Sequence, residues 1–297
     1  MTSAAQGISH SEELFIDGRW VAPSTSGRLH PVNPATEQVV ATVAEATEAD
    51  MDKAVSAARR AFDEGPWPRL SHAERGKYVA RLAELLEQRT PQLAALWTEQ
   101  MGGLASFAPR MTGGATFQLK YFAGLATTYP FETRQPASMG PGTAIIVREA
   151  VGVVAAIAPW NAPYGIMTQK IGPALVAGCT VIMKPSPETP LEAYVIAECA
   201  EAAGFPPGVI NLVPANRDAS DHLVRNPGVD KVSFTGSTAA GRRIGQVCAD
   251  RVARVTLELG GKSAAIVLDD FPVEQAAQIL TGSICIMSGQ VCATLSR

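Results

Sequence analysis

No stretch of this sequence is apolar for long enough to cross a bilayer. The longest apolar runs, such as residues 151–158, fall far short of the roughly 20 residues that a spanning helix needs. Residues 1–10 carry neither a basic flank nor a continuous apolar segment, so they do not read as a secretory signal. Basic residues do not cluster, and 25 Lys and Arg against 28 Asp and Glu leave a formal charge of −3, so no cationic face is offered to nucleic acid. Cysteine is scarce and scattered: Cys179, Cys199, Cys248, Cys285 and Cys292 are odd in number and include no CxxC pair. They read as reduced thiols of a cytoplasmic protein. The four histidines, His10, His30, His72 and His222, stand at no ligand-like spacing from a cysteine or carboxylate, and metal chemistry has no support in the sequence. A soluble chain without metal, membrane or nucleic acid partners is expected.

What the sequence does have is a core and an alternating pattern. With 297 residues, 46% of them hydrophobic, the length suggests about two domains. Asp17-Gly18 between two apolar pairs in residues 14–21 signals a tight hairpin with positive φ in the turn. Thr47 with Asp50 and Ser71 with Glu74 have capping-box spacing, and Thr90-Pro91 sets an N-cap before a first-turn proline. Met51, Val55, Ala58 and Phe62, then Tyr78, Leu82, Leu85 and Leu86, give the first two helices apolar stripes, and all three helices are expected on one side of a larger body. A fourth helix is placed near residues 116–129. Residues 130–142, with three prolines and two glycines, read as a linker.

Two β-rich runs follow, 143–149 and 151–158, either one bent strand or two strands joined at Gly152. Strand and helix then alternate to residue 258, which predicts an α/β fold with a mostly parallel sheet covered by helices on both faces. Ligands of such sheets bind beyond the carboxyl ends of the strands, and chemistry is sought there.

Several strand ends carry candidate groups. At Gly236-Ser237 an apolar strand turns straight into a helix, whose free N–H groups and positive dipole end suit a pyrophosphate, although a strand-glycine-helix junction is often plain turn chemistry. The G-x-G-x-x-G spacing is lacking there, and Gly260-Gly261-Lys262-Ser263 is no P-loop because Thr256 stands where its leading glycine belongs. Asn161, in the turn Pro159-Trp160-Asn161, offers an amide to a developing oxyanion, or stabilises its own turn. Lys184, held extended by Pro185, either reaches ribose hydroxyls or is a solvated surface lysine. Glu258 is read near the end of a buried strand, an apolar setting that would raise its pKa and suit a general base. Cys292 follows Gly289-Gln290-Val291, and by spacing alone it is one thiol among five.

Pro159-Trp160-Asn161, Lys184-Pro185-Ser186, Phe234-Thr235-Gly236-Ser237, Leu257-Glu258-Leu259-Gly260-Gly261-Lys262 and Gly289-Gln290-Val291-Cys292 occur together and in order, and in this the sequence closely resembles the aldehyde dehydrogenase family over nearly its whole length. The resemblance implies a Rossmann-like dinucleotide-binding domain made of residues 1–134 and 151–258. Residues 135–150 would be a linker and bridging or oligomerisation strand, and residues 259–297 the start of a catalytic domain. It implies Cys292 as the nucleophile that turns an aldehyde into a thiohemiacetal and then a thioester, Asn161 with the Cys292 N–H as the oxyanion site, and Glu258 as the base that activates the hydrolytic water. The cofactor would lie along Ile157, Ala158, Pro159 and Trp160, with Lys184 and Ser186 toward the adenosine ribose, Gly236 and Ser237 at the pyrophosphate, and Glu258 and Leu259 nearby. NAD is the expected cofactor. NADP stays open, because many NAD-preferring relatives carry a glutamate three residues after the lysine, where Pro187 stands here, with Glu188 one place late.

By family position, Ala162, Gln169, Val291 and Ala293 approach the aldehyde, and small Ala162 suggests an open pocket. Relatives continue well past the nucleophile and form homo-oligomers, whereas Ala293-Thr294-Leu295-Ser296-Arg297 alone follows Cys292 here. The expectation is a truncated form, inactive and poorly soluble by itself. Two rivals are a non-catalytic dinucleotide-binding fragment and an acylating relative that passes the acyl group to coenzyme A. Glu258 argues against the second.

Overall fold

The computed structural model describes residues 4–297 of the chain. The fold begins with the expected hairpin, β1 (Leu14–Ile16) and β2 (Arg19–Val21), turned by Asp17 and Gly18 at φ 56° and 71°. Both central residues are left-handed, the geometry whose twist suits a two-residue hairpin. Short β3 (Arg28–Leu29) and β4 (Val43–Ala44) pair with each other. Helices α1 (Glu48–Asp63) and α2 (His72–Gln88) both start on complete capping boxes, at Thr47 with Asp50 and at Ser71 with Glu74. Helix α3 (Thr90–Met101) differs from expectation: Arg89 occupies the cap position, and the Thr90 hydroxyl donates back to the Glu87 carbonyl at 2.8 Å.

Helix α4 runs Ala108–Thr128, two turns longer than its sequence signal. Gly113 and Gly114 lie inside it, exposed and facing open space. The segment read as a linker contains β5 (Glu132–Pro136), which pairs antiparallel with β6 (Thr143–Val147) apart from the main sheet. From there come β7 (Val153–Ile157), α5 (Pro163–Ala177), β8 (Thr180–Lys184), α6 (Leu191–Ala202), β9 (Ile210–Leu212), α7 (Arg217–Arg225), β10 (Lys231–Gly236), α8 (Thr238–Asp250), β11 (Arg254–Leu259) and α9 (Val273–Cys285). The β-rich runs on either side of Ala150 are thus two strands in different sheets.

The main sheet has the order β11-β10-β7-β8-β9-β1-β2, parallel from β11 to β9 and closed at one edge by the antiparallel hairpin. Side chains alternate across it. Val154, Ala156, Val181 and Met183 face a core shared with α2 to α6, whereas Val153, Ala155, Ile157 and Ile182 face α1, α7 and α8. The first helix therefore parts from the next two: Met51, Ala54, Val55 and Ala58 of α1 pack on the opposite face from Leu82 and Leu86 of α2. An apolar stripe requires a helix to be covered, but it does not say by which face of a sheet. Among the described residues, no helix is long and apolar enough to cross a membrane.

The two halves of the parallel sheet are latched at their amino ends. Asp230, just before β10, accepts the Val153 N–H at 2.7 Å and pairs with Arg59 of α1. Gly152 makes room for it, with φ 122° and a notional Cβ only 1.8 Å from the Asp230 carboxylate. Gly152→Ala is expected to destabilise the protein by about 3 kcal/mol or more, through backbone strain and a broken latch together. Denaturant unfolding of the two proteins measures it.

Candidate active site

The chain leaves β7 through α5 to β8 and β9 on one side, then returns to place β10 on the other, so the strand order reverses between β7 and β10. Loops leaving such a switch point diverge and open a crevice beyond the strands. The register brings the carboxyl ends level: Ile157 stands beside Lys184 and Phe234, Thr235 beside Glu258, and Gly236 beside Leu259. Ser237 caps α8 and accepts the Ala240 N–H at 3.2 Å, leaving Thr238 and Ala239 exposed at the open helix start. A Cβ on Gly236 would fall 2.5 Å from the Phe234 ring, so the residue is also glycine for packing.

Across the crevice, Ala158 N–H donates to the Lys184 carbonyl at 3.1 Å, and half-open Trp160 follows, 40% exposed. Lys184 is buried, not a solvated surface lysine; burial pulls its ammonium down to about 8, against the charge of Glu188. Ser186 donates its hydroxyl to the Glu188 carboxylate. A buried cation, a bare glycine turn and an open helix start fit the ribose and diphosphate of a dinucleotide.

The turn after β7 is tied at successive carbonyls: the Thr189 hydroxyl donates to Trp160 O at 3.1 Å, and the Trp97 indole to Asn161 O at 3.0 Å. The Asn161 side chain donates through Nδ2 to Gln290 O at 2.7 Å, which places it two residues from Cys292. Before the cysteine the backbone coils left-handedly through Met287, Ser288 and Gly289, with φ 49°, 57° and 78°. Two of the three are not glycine, a costly arrangement that packing must hold. Met287 does so in a small cluster with Ala94, Trp97, Met101 and Ala108, against which Ala162 and Val291 also pack.

Cys292 and Ala293 are exposed, and a Cβ on Gly261 would lie 3.5 Å from the Cys292 carbonyl, so the loop after β11 passes beside the thiol. Cys179, Cys199 and Cys248 are buried packing, whereas Cys285 is exposed.

One expectation changes here. Glu258 is exposed among the described residues, on β11 at the edge of the sheet, and not enclosed in a buried strand. Gln169, two turns along α5 from Ala162, is exposed and donates to Gln118 at 3.0 Å.

Two neighbours escaped the sequence reading. Lys170, buried on α5, donates to Ser233 at 3.3 Å; burial lowers its pKa to about 8, the charge of Glu258 opposes that shift, and Lys231 adds to it. Helical spacing alone assigns Lys170 nothing, since it sits among core positions. Trp97 reads as one more apolar residue of α3.

Glu192, in the first turn of α6, is completely buried. One oxygen accepts from Gln100 at 2.8 Å and the other has no partner among the described residues. Burial pushes this carboxyl up to about 8, only partly offset by its own backbone N–H and by Gln100. Between pH 4.5 and 8 the unfolded chain releases a proton that the folded chain keeps. Stability from this group is therefore full below 4.5 and falls as pH rises through the window. Glu192→Gln is expected to flatten that part of the stability profile, as read by thermal unfolding at stepped pH.

A sequence profile of the aldehyde dehydrogenase family matches residues 20–297. Geranial dehydrogenase of Castellaniella defragrans is 43% identical over 98% of this chain and 60% of its own length. Phenylacetaldehyde dehydrogenase of Pseudomonas fluorescens is 40% identical over 99% of this chain and 60% of its own. A mutant of aldehyde dehydrogenase C from Pseudomonas syringae, crystallised with NAD+ and octanal, superposes with a TM-score of 0.90 at 38% identity, over 96% of this chain and 57% of that one. The NAD+ complex of the Bacillus cereus aldehyde dehydrogenase gives 0.94 at 37% identity, over 100% and 61%. The chain spans about 60% of the length of the curated relatives it matches.

Proposed function

The chain belongs to the aldehyde dehydrogenase family, and from that premise we propose that its strand-end crevice binds NAD and that Cys292 carries an aldehyde through oxidation to the carboxylic acid. The observation that carries this reading is the 2.7 Å bond from Asn161 Nδ2 to Gln290 O. It joins the turn after the first strand of the parallel unit, across 129 residues of chain, to the loop of the only exposed thiol beside that crevice among the described residues.

In this reading the Cys292 thiolate adds to the aldehyde carbon. The second hydrogen of the Asn161 amide and the Cys292 N–H face the oxygen that becomes negative. When bound, the nicotinamide supplies the hydride acceptor. Loss of hydride leaves a thioester on Cys292, and Glu258 takes a proton from the water that displaces the sulfur. Glu258 stands beside Thr235 at the carboxyl end of the sheet, the end that the crevice opens on. Lys184 and Ser186 hold the adenosine ribose, Gly236 and Ser237 the diphosphate, and Ile157 to Trp160 one wall. Ala162 and Val291, packed beside the nucleophile turn, border the aldehyde.

The same proposal takes residues 1–134 and 151–258 as the dinucleotide-binding unit and residues 259–297 as part of a catalytic one. It takes the β5–β6 pair as an assembly strand of a homo-oligomer, supported by the exposure of Ile145, Ile146 and Val147. Titration with NAD and with NADP, followed by tryptophan emission, tests the cofactor half. Saturable quenching by NAD is expected, lost in Trp160→Phe, with affinity about 10- to 100-fold weaker in Lys184→Ala, the worth of one charged hydrogen bond. No quenching by either dinucleotide would remove the reading.

A further inference from the structure

Trp97 does something that its position on an apolar helix stripe does not require. It is 3% exposed, and its indole N–H, which needs a partner once buried, donates to the Asn161 carbonyl and not to its own helix. The preceding carbonyl, Trp160 O, is held by Thr189. With both carbonyls held, the peptide planes on either side of the Asn161 Cα are restrained, and the Asn161 side chain keeps its direction toward Gln290.

The same ring belongs to the cluster that seats Met287, the first residue of the left-handed turn leading to Cys292. Its far edge is fitted into the α3–α4 loop: a Cβ on Gly103 would lie 2.0 Å from Trp97 Cζ3 and 2.1 Å from Cη2. The ring of Phe107 stands against it at 6.4 Å, tilted by 53°. One side chain on α3 therefore meets both halves of the site, the amide loop through a hydrogen bond and the nucleophile turn through packing.

We propose that Trp97 is a positioning residue, which sets the Asn161 amide and the Cys292 turn relative to each other through its N–H and its ring, with Gly103 as the notch that lets the ring lie there. The proposal rests on the reading of Asn161 and Cys292 as partners in one reaction. Its physical content is over-determination: a turn with two non-glycine residues at positive φ persists only while its surroundings hold it, and Trp97 is the largest group that does. Loss of the N–H frees the Asn161 peptide, and displacement of the ring unseats Met287. Either change should spoil the geometry around the thiol, while the ends of β8 and β10, to which the Trp97 indole makes no hydrogen bond, keep the dinucleotide.

The test uses Trp97→Phe, which removes the N–H and keeps an aromatic ring, and Gly103→Ala, which keeps Trp97 and displaces its ring. Octanal is the probe. Its reversible addition forms a bond from sulfur to the carbonyl carbon, the thiol proton passes to the oxygen, and no cofactor is needed. Shielding of Cys292 from iodoacetamide is read by peptide mass spectrometry, with Cys285 as the exposed thiol that octanal should not shield. NAD affinity and thermal unfolding are measured on the same samples, well below the unfolding temperature.

In both variants the octanal concentration for half-shielding should rise at least fivefold, while NAD affinity stays within twofold of the parent. A merely structural tryptophan would lower the unfolding temperature without that split. Should Trp97→Phe fail to fold, Gly103→Ala carries the test with the indole in place. If octanal shields Cys292 equally in the parent and in every folded variant, the role of Trp97 is overturned and the reading of the site survives. If octanal does not shield Cys292 in the parent, the reading of the site fails and the positioning role falls with it.

Discussion

Cys292→Ala is expected to lower kcat/KM for aldehyde oxidation by roughly 10⁴-fold or more, in any form of the protein that turns over aldehyde, because removal of a covalent nucleophile leaves no other route to the thioester. The prediction is selective. Cys292 lies on the loop beside the crevice and not on the strand ends that line it, so NAD affinity should be unchanged. Cys285, exposed at the end of α9, is the natural control, and Cys285→Ala should leave the rate where it was. Cys179, Cys199 and Cys248 cannot substitute for the nucleophile, because all three are enclosed in the core and burial raises their thiol pKa values. A loss under tenfold in Cys292→Ala, or a matching loss in Cys285→Ala, would mean that the thiol has been misassigned.

Glu258→Gln should separate the two halves of the reaction. Acylation and hydride transfer do not need the carboxylate once the thiolate has formed, so a burst of reduced cofactor, one per active site, is expected on mixing. Steady turnover should then fall about 10²- to 10⁴-fold, the usual worth of a positioned base. Stopped-flow absorbance resolves the two phases. The register places Glu258 beside Thr235, at the same carboxyl end of the sheet as Lys184 and Gly236. A variant that loses the burst along with the turnover would place Glu258 before the thioester instead of after it.

Much of this site was legible in the residues. The parallel sheet could be read because its strands are short apolar runs ending in distinctive residues, as Thr180–Lys184 ends in Lys184. The strand-end candidates Asn161, Lys184, Gly236 and Glu258 do stand at one end of the sheet.

What was not legible depends on facts outside any local window. The run Val255-Thr256-Leu257-Glu258 looks the same in a central strand as at an edge, so the exposure of Glu258 followed only from the strand order. The stripe on α1 says that the helix is covered, not that it lies across the sheet from α2. Gly113-Gly114 hid two turns of α4, because glycine opposes helix locally while Thr112, Ala115, Thr116 and Leu119 bury the helix on its other side. The hydrogen bond from Trp97 to the Asn161 carbonyl spans 64 residues and leaves no spacing signature at all.

The central claim is that an aldehyde becomes an acyl group on one particular sulfur, with the dinucleotide as hydride acceptor. Glu258→Gln protein, incubated with octanal and NAD together, quenched in acid and digested, tests it most directly by peptide mass spectrometry. The account predicts an octanoyl thioester on the peptide that contains Cys292, absent from the Cys285 peptide and absent when NAD is left out. An acyl group on Cys285, acylation that does not require NAD, or an unmodified Cys292 in protein that binds NAD would contradict it.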